Sequence, residues 1–347
     1  MLYLKNSWVC EMYERKDALI HRPQINISFS ASKRMWFVFS CALLCIIQSA
    51  LNDSGSSLMI AFAALAAALT AELLLTWKKN RFKKIKDGSA AATAMVLALL
   101  LPNQIHPMYA SFGALFAIII VKYSFGGLGS NWLNPALGGW LFIRFSWPGV
   151  FNRALEASVS GVVGAASAPD IALTSFLNRT IFSLTGAELP FGYFDLLFIT
   201  NTGIIADRGL FALLIGSAVL IALRISRFYI PVIFLFVFGF LTRFLGDIPF
   251  GGQFWNGDIL HGFFSGGTIA AAFILAAEPS SGAKTMYGVM AATIIGAILA
   301  WVFRYPAQEF SGAFIAIALV NCLMPLIRLL EGKLFFRGKT VSLQESA

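Results

Sequence analysis

The chain has 347 residues, 58% hydrophobic and 12% charged, with a mean hydropathy of +0.76, whereas a soluble domain carries about a quarter of its residues charged. That balance excludes a soluble protein built on one core and makes the bilayer the solvent. The net charge of +9 does not point to nucleic acid, because the Lys and Arg residues sit in short stretches between apolar runs, as in the loops of a membrane protein.

In chain order, residues 1–34 are mixed and basic, lack the pattern of a removable signal peptide, and read as a cytoplasmic N-terminal segment. Apolar runs near the roughly 20 residues that cross a bilayer then predict spans at Met35–Leu51, Leu58–Trp77, Ser89–Leu101, Met108–Tyr123 and Asn131–Trp147. A second set follows at Leu210–Ser226, Ile230–Leu245, Asp258–Ala277, Met286–Phe303 and Gly312–Leu330, and residues 331–347 form a cytoplasmic tail. Ser89–Leu101 is short and is closed by Pro102, so it is expected to be tilted or partly broken. Cys10, Cys41, Cys45 and Cys322 include no CxxC pair, and His21, His106 and His261 are too scattered for a metal site. Glu72, deep in the second span, is costly there; with no second acid at its depth, it is expected to be protonated and hydrogen-bonded locally.

Basic residues set the orientation. Lys33, Arg34, the run Lys78–Lys86, Lys122, Arg224, Arg227, Lys284, Arg328 and Lys333 fall on the inner side, and only scattered residues such as Arg153, Arg179 and Arg304 fall outside. Both termini are then cytoplasmic, and the long connection 148–206 faces outward. Connections of that length are usually functional or disordered, and its Ser, Thr, Gly and Ala content favours a functional loop.

The fold class expected is an all-α polytopic membrane protein of about ten helices, arranged as two inverted five-helix repeats over 35–147 and 207–330. Asp87-Gly88-Ser89 before one apolar helix is echoed by Asp207 before another, and Gly138-Gly139 after Asn134-Pro135 is echoed by Gly266-Gly267 after His261. Helix starts of this kind present unpaired N–H groups to a ligand, although Asp87 and Asp207 serve equally as simple N-caps. Asn134-Pro135 suits a capped helix start, and the paired glycines suit either close approach of a flat ring or packing of a second helix. Inverted repeats with broken helices also suit a small-solute permease.

These residues resemble a known family, the D subunit of the Rnf ferredoxin:NAD oxidoreductase complex, which is related to the B subunit of the sodium-translocating NADH:quinone reductase. The resemblance runs from Arg22 to Arg328 and is carried by Asp87-Gly-Ser, Gly126-Gly-Leu-Gly-Ser-Asn, Asn134-Pro-Ala-Leu, Ser265-Gly-Gly, Ala277-Glu-Pro, Tyr305-Pro and Ala318-Leu-Val-Asn-Cys-Leu-Met-Pro. It implies a component of the bacterial inner membrane that carries FMN esterified to an outer-loop Thr, and a second, non-covalent flavin such as riboflavin. It further implies neighbouring membrane and flavoprotein subunits, and coupling of electron transfer to Na+ or H+ movement. The cofactor-contacting residues implied are Asp87, Gly88, Ser89, Asn134, Pro135, Gly138, Gly139, Asp207, Ser265, Gly266 and Gly267, with Ser167 as the attachment point. The family attaches flavin at Ser/Thr-Gly-Ala-Thr; here Gly164-Ala165-Ala166-Ser167 aligns with that stretch, and the nearby Thr185-Gly186-Ala187-Glu188 lacks the final hydroxyl.

Overall fold

The computed structural model describes residues 30–76, 86–124, 126–127, 131–159, 167–180, 192–198, 203–246, 248–278, 282–283 and 285–335. Among these there is no strand; one isolated antiparallel bridge joins Pro102 and Ile204.

Helix α1 (Ala31–Asn52) has neither Gly nor Pro in its interior and stops at a turn in which Gly55 adopts φ 92°. The Asp53 carboxylate accepts from Gly55 N–H at 3.0 Å and Ser57 N–H at 3.2 Å, which starts α2 (Ser56–Leu75) antiparallel to α1. On α2, Ala61, Ala64, Ala68 and Ala71 are all buried, a small-residue stripe that lets neighbouring helices approach closely.

Helix α3 (Ser89–Leu100) lies at the centre of the protein, buried at every residue except Thr93. Pro102 ends it, as expected. The last turn is then held inside the protein, with Leu101 O accepting from Ile205 N–H at 3.0 Å, so a short helix avoids leaving unpaired backbone groups in an apolar medium. Helix α4 (Pro107–Phe116) begins with Pro at its first position and His106 Nδ1 accepting from Met108 N–H, then continues as a π-helix over Ala117–Tyr123. Helix α5 (Pro135–Ser146) packs against α3 and α4.

The long connection is not a structureless loop in its described parts, which form α6 (Pro148–Val159), α7 (Ala168–Thr180) and α8 (Tyr193–Phe198). The chain re-enters the core through α9 (Ile205–Arg208) and α10 (Leu210–Ala222). Then come α11 (Tyr229–Leu245), α12 (Ile259–Phe264), α13 (Thr268–Ala270) with a π-turn over Ala271–Leu275, α14 (Met286–Arg304) and α15 (Gly312–Phe335). The predicted span Asp258–Ala277 is therefore broken in the middle, at Ser265-Gly266-Gly267.

Among the described residues five helices are long and apolar enough to cross a membrane, and Ser89–Leu100, Pro107–Tyr123 and Leu210–Ala222 are shorter apolar helices. Large apolar side chains such as Phe62, Leu74, Phe236 and Phe240 point outward, Phe62 being 73% exposed. Outward apolar surface on this scale suits lipid contact, and the protein is a multi-pass membrane protein.

Candidate functional site

Two polar clusters lie inside the apolar core, each at a helix start made by a left-handed glycine. In the first, Gly88 (φ 71°) turns the chain into α3 against the Trp36 ring, where a Cβ would meet Trp36 Nε1 at 2.9 Å. Asp87 Oδ1 accepts from Ser89 N–H at 2.8 Å and from Ser89 Oγ at 2.6 Å. Ser89 Oγ in turn accepts from Lys122 Nζ at 2.6 Å, and the same ammonium donates to Glu72 Oε1 at 2.6 Å. Tyr123 Oη donates to Glu72 Oε1 at 3.1 Å.

Two expectations are corrected here. Lys122 is not a loop cation, since it is 3% exposed within the π-helix, and Glu72 is not bonded to near neighbours but paired with a cation 50 residues away. The physical reason is that a carboxylate and an ammonium buried together offset each other's desolvation, which neither can do alone. A continuous hydrogen-bonded chain thus joins half-buried Asp87 to deeply buried Glu72 through Ser89 and Lys122. Such a chain can relocate a proton or a positive charge across α3, α2 and the π-helix without exposing an isolated ion.

In the second cluster Gly266 (φ 71°) and Gly267 (φ 72°) break the span between α12 and α13. The Gly267 N–H donates to Asp207 Oδ1 at 2.9 Å and Oδ2 at 3.2 Å, and the Gly266 N–H adjoins the same carboxylate. Asp207 is therefore not the N-cap of its own helix; it caps a helix start 60 residues downstream. Arg304 attracts Asp207 from a distance while donating to Ser265 Oγ at 2.8 Å and Phe310 O at 2.5 Å. The Gly267 amide is thus taken by the chain's own carboxylate.

Asn134, Pro135, Gly138 and Gly139 share α5. Asn134 Oδ1 accepts from Ala136 N–H at 2.9 Å and Leu137 N–H at 3.2 Å, a side-chain cap with Pro at the first helical position. A Cβ on Gly139 would meet Gly113 O at 2.5 Å, and one on Gly138 would meet Val121 Cγ2 at 2.6 Å. Of the two uses open to these glycines, the one observed is close packing of α5 on α4 and its π-turn. The Asn131 side-chain amide closes the turn after the π-helix, reaching Gly127 O at 3.2 Å and Lys122 O at 3.3 Å once its nitrogen is turned toward these two acceptors.

Ser167 stands apart from both clusters. Its N–H donates to Asp195 Oδ2 at 2.7 Å and its hydroxyl to Asp195 Oδ1 at 2.5 Å, while Asp170 N–H reaches Ser167 Oγ at 3.4 Å at the start of α7. Asp170 accepts from Gly192 N–H at 2.7 Å and Phe194 N–H at 3.0 Å, which ties α7 to α8. Tyr193 donates to Asp258, and burial, reinforced by that bond, pushes its phenol above the usual range. Gly164-Ala165-Ala166, Thr185–Glu188 and the Lys78–Lys84 run lie outside the described residues.

Sequence reasoning does not place Lys122, Tyr123 and Arg304 in these clusters. The available signal is a basic residue within or at the end of an apolar run, which a loop-counting argument assigns to the surface. Among the described residues no group of His, Cys, Asp and Glu has metal-binding geometry.

The sequence model of the NQR2, RnfD, RnfE family matches residues 18–335. The chain is 27% identical over 305 residues, 88% of its length and 91% of the relative's, to the D subunit of the proton-translocating ferredoxin:NAD(+) oxidoreductase complex of Clostridium ljungdahlii. It is 30% identical to the D subunit of the Na(+)-translocating ferredoxin:NAD(+) oxidoreductase complex of Acetobacterium woodii, over 70% of this chain and 71% of the relative. It is also 30% identical to the D subunit of the ion-translocating oxidoreductase complex of Pseudomonas aeruginosa, over 80% of this chain and 83% of the relative.

Proposed function

The chain belongs to the NQR2, RnfD, RnfE family, and on that premise we propose that it is the D-type membrane component of an Rnf-type ion-translocating oxidoreductase. It passes electrons through flavin while the complex moves Na+ or H+, and it works beside other membrane and flavoprotein subunits rather than as a complete enzyme. The observation that carries this reading is coverage. The family match spans residues 18–335, and a relative named as the D subunit of such a complex aligns over 91% of its own length, so both polar clusters and the 148–206 segment fall inside it. Within the apolar core, Glu72 and Lys122 are the groups suited to moving charge, because an intramembrane ionisable pair is retained at a cost that function offsets.

The architecture that accompanies this reading is ten crossings of a bacterial inner membrane in two inverted halves, 35–147 and 207–330, with 1–34 and 331–347 cytoplasmic. Two observations support it. Lys86 O accepts from Ser32 and Trp36 at the start of α1, whereas Asn52, at its other end, meets Phe198 O and Arg208, so 148–206 reaches the opposite end of α1 from Lys86. Gly88 and Gly267 also open α3 and α13 with the same left-handed turn. Cysteine labelling of intact cells tests the orientation: a Cys replacing Asn178 is expected to react and one replacing Asn80 to stay protected, and the reverse pattern overturns it.

The proposed cofactor is FMN, with a second, non-covalent flavin such as riboflavin, and Ser167 is the candidate for a phosphoester. A second reading, a flavin-free scaffold in the same complex, is favoured by the engagement of the Ser167 hydroxyl with Asp195. The experiment is a visible absorption spectrum of the detergent-purified protein made beside its flavin transferase, with in-gel fluorescence after denaturation. A flavin spectrum with fluorescence lost in Ser167→Ala supports covalent attachment there, and fluorescence that survives the substitution excludes that site. No flavin at all supports the scaffold, and solute flux by the isolated chain in proteoliposomes would point to a permease.

A further inference from the structure

A cavity of about 220 Å3 opens where α10 ends and α11 begins, walled by α11, α14 and α15. Three arginines, Arg34, Arg224 and Arg227, line it, with Glu278 as the single acidic residue of the lining. Among the described residues the Arg34 and Arg224 side chains form no hydrogen bond or ion pair, and the Arg227 side chain donates only to Tyr229 Oη at 3.1 Å. The first N–H groups of α11 have no side-chain cap, so the positive end of its dipole adds to the same potential.

The deeper wall is apolar except at Thr293, whose hydroxyl donates to Val289 O at 2.8 Å, and at Asn321, which stands one helical turn from Ile317 and Met324 on α15. Asn321 is 4% exposed, and its Nδ2 has no hydrogen-bond partner among the described residues. A buried donor without an acceptor costs free energy that an arriving carbonyl oxygen removes. The cavity therefore asks for three properties in one molecule: a negative head, an apolar body and an uncharged acceptor between them.

We propose that this cavity binds an anionic phospholipid, its phosphate on Arg34, Arg224 and Arg227 and an acyl ester carbonyl on Asn321 Nδ2. Inorganic phosphate would satisfy the arginines but neither the apolar wall nor Asn321, and a zwitterionic lipid would place a second positive charge among the guanidiniums. Basic pockets between membrane helices select anionic headgroups on these grounds. The site is separate from both polar clusters and does not depend on the electron-transfer reading.

The test is native mass spectrometry of the full-length protein in detergent, equilibrated with equal amounts of phosphatidylglycerol and phosphatidylcholine of the same acyl chains. Phosphatidylglycerol is expected to be retained preferentially, with retention falling roughly fivefold for each arginine removed in Arg224→Ala and Arg227→Ala. Arg224→Lys with Arg227→Lys, which keeps the charge, should retain most of the preference and controls for folding. Asn321→Leu should weaken retention while phosphatidylglycerol is still favoured over phosphatidylcholine. Equal retention of the two lipids, or an unchanged preference in the double alanine variant, overturns the proposal. So does full displacement by millimolar inorganic phosphate, which would make it a free-phosphate site. Retention seen only after residues 1–29 are removed also overturns it, because the chain's own N-terminal segment would then be the occupant.

Discussion

The Glu72–Lys122 cluster and the Asp207–Gly267 cluster solve the same problem, a carboxylate in an apolar core, by different means. Glu72 is balanced by a side-chain ammonium on a flexible stem, which also reaches Ser89 and through it Asp87. Asp207 is held by backbone amides of a glycine pair, with the nearest guanidinium engaged by Ser265 and Phe310. An ammonium with rotatable donors can change partners, whereas amides fixed by two left-handed glycines cannot. The first cluster can therefore exchange hydrogen-bond partners among α2, α3 and the π-turn after α4, whereas the second clamps α9 to the broken span.

The largest effect is expected at Lys122. Lys122→Met leaves a buried carboxylate unpaired and should cost about 3–5 kcal/mol, read as a large drop in thermal stability of the purified protein. The double variant with Glu72→Gln should recover more than half of it; equal losses in single and double variants would show that the two groups are not a pair.

At the second cluster the expected effect is smaller. Asp207→Ala strands the Gly267 N–H and should cost about 1–3 kcal/mol, with Asp207→Asn milder because its remaining carbonyl oxygen still accepts. A loss as large as that of Lys122→Met would erase the distinction between charge pairing and amide clamping.

Outside both clusters, the two adjacent glycines of α5 differ in what stands against them. Gly139→Ala pushes against the Gly113 carbonyl, which is backbone, and should cost about 1–3 kcal/mol. Gly138→Ala meets a Val121 methyl, which can turn away, so a smaller loss is expected in the same melting assay. Asn134→Ala, which removes only a cap, should cost about 1 kcal/mol, and a larger loss would give Asn134 a role beyond starting α5.

Much of this is legible in the chain itself. Apolar runs locate the membrane helices, Pro102 predicts the stop of α3, and Asn134-Pro135 predicts a capped start for α5, because each of these depends on residues within a few positions of one another. Lys122 escapes a count of loop charges because such a count assumes that a basic residue beside a loop lies in water. At Ser265-Gly266-Gly267 nothing local says that Asp207, 60 residues away, will accept from the Gly267 amide. Local hydropathy and backbone chemistry in the chain thus fix the solvent, the helical class and helix ends such as the stop of α3 and the start of α5, but not the break in Asp258–Ala277 or the helices of the long connection. Tertiary structure decided the pairings of Glu72 with Lys122 and of Asp207 with Gly267, 50 and 60 residues apart. In an apolar medium a charge must be neutralised by whatever the packing of other helices brings within reach.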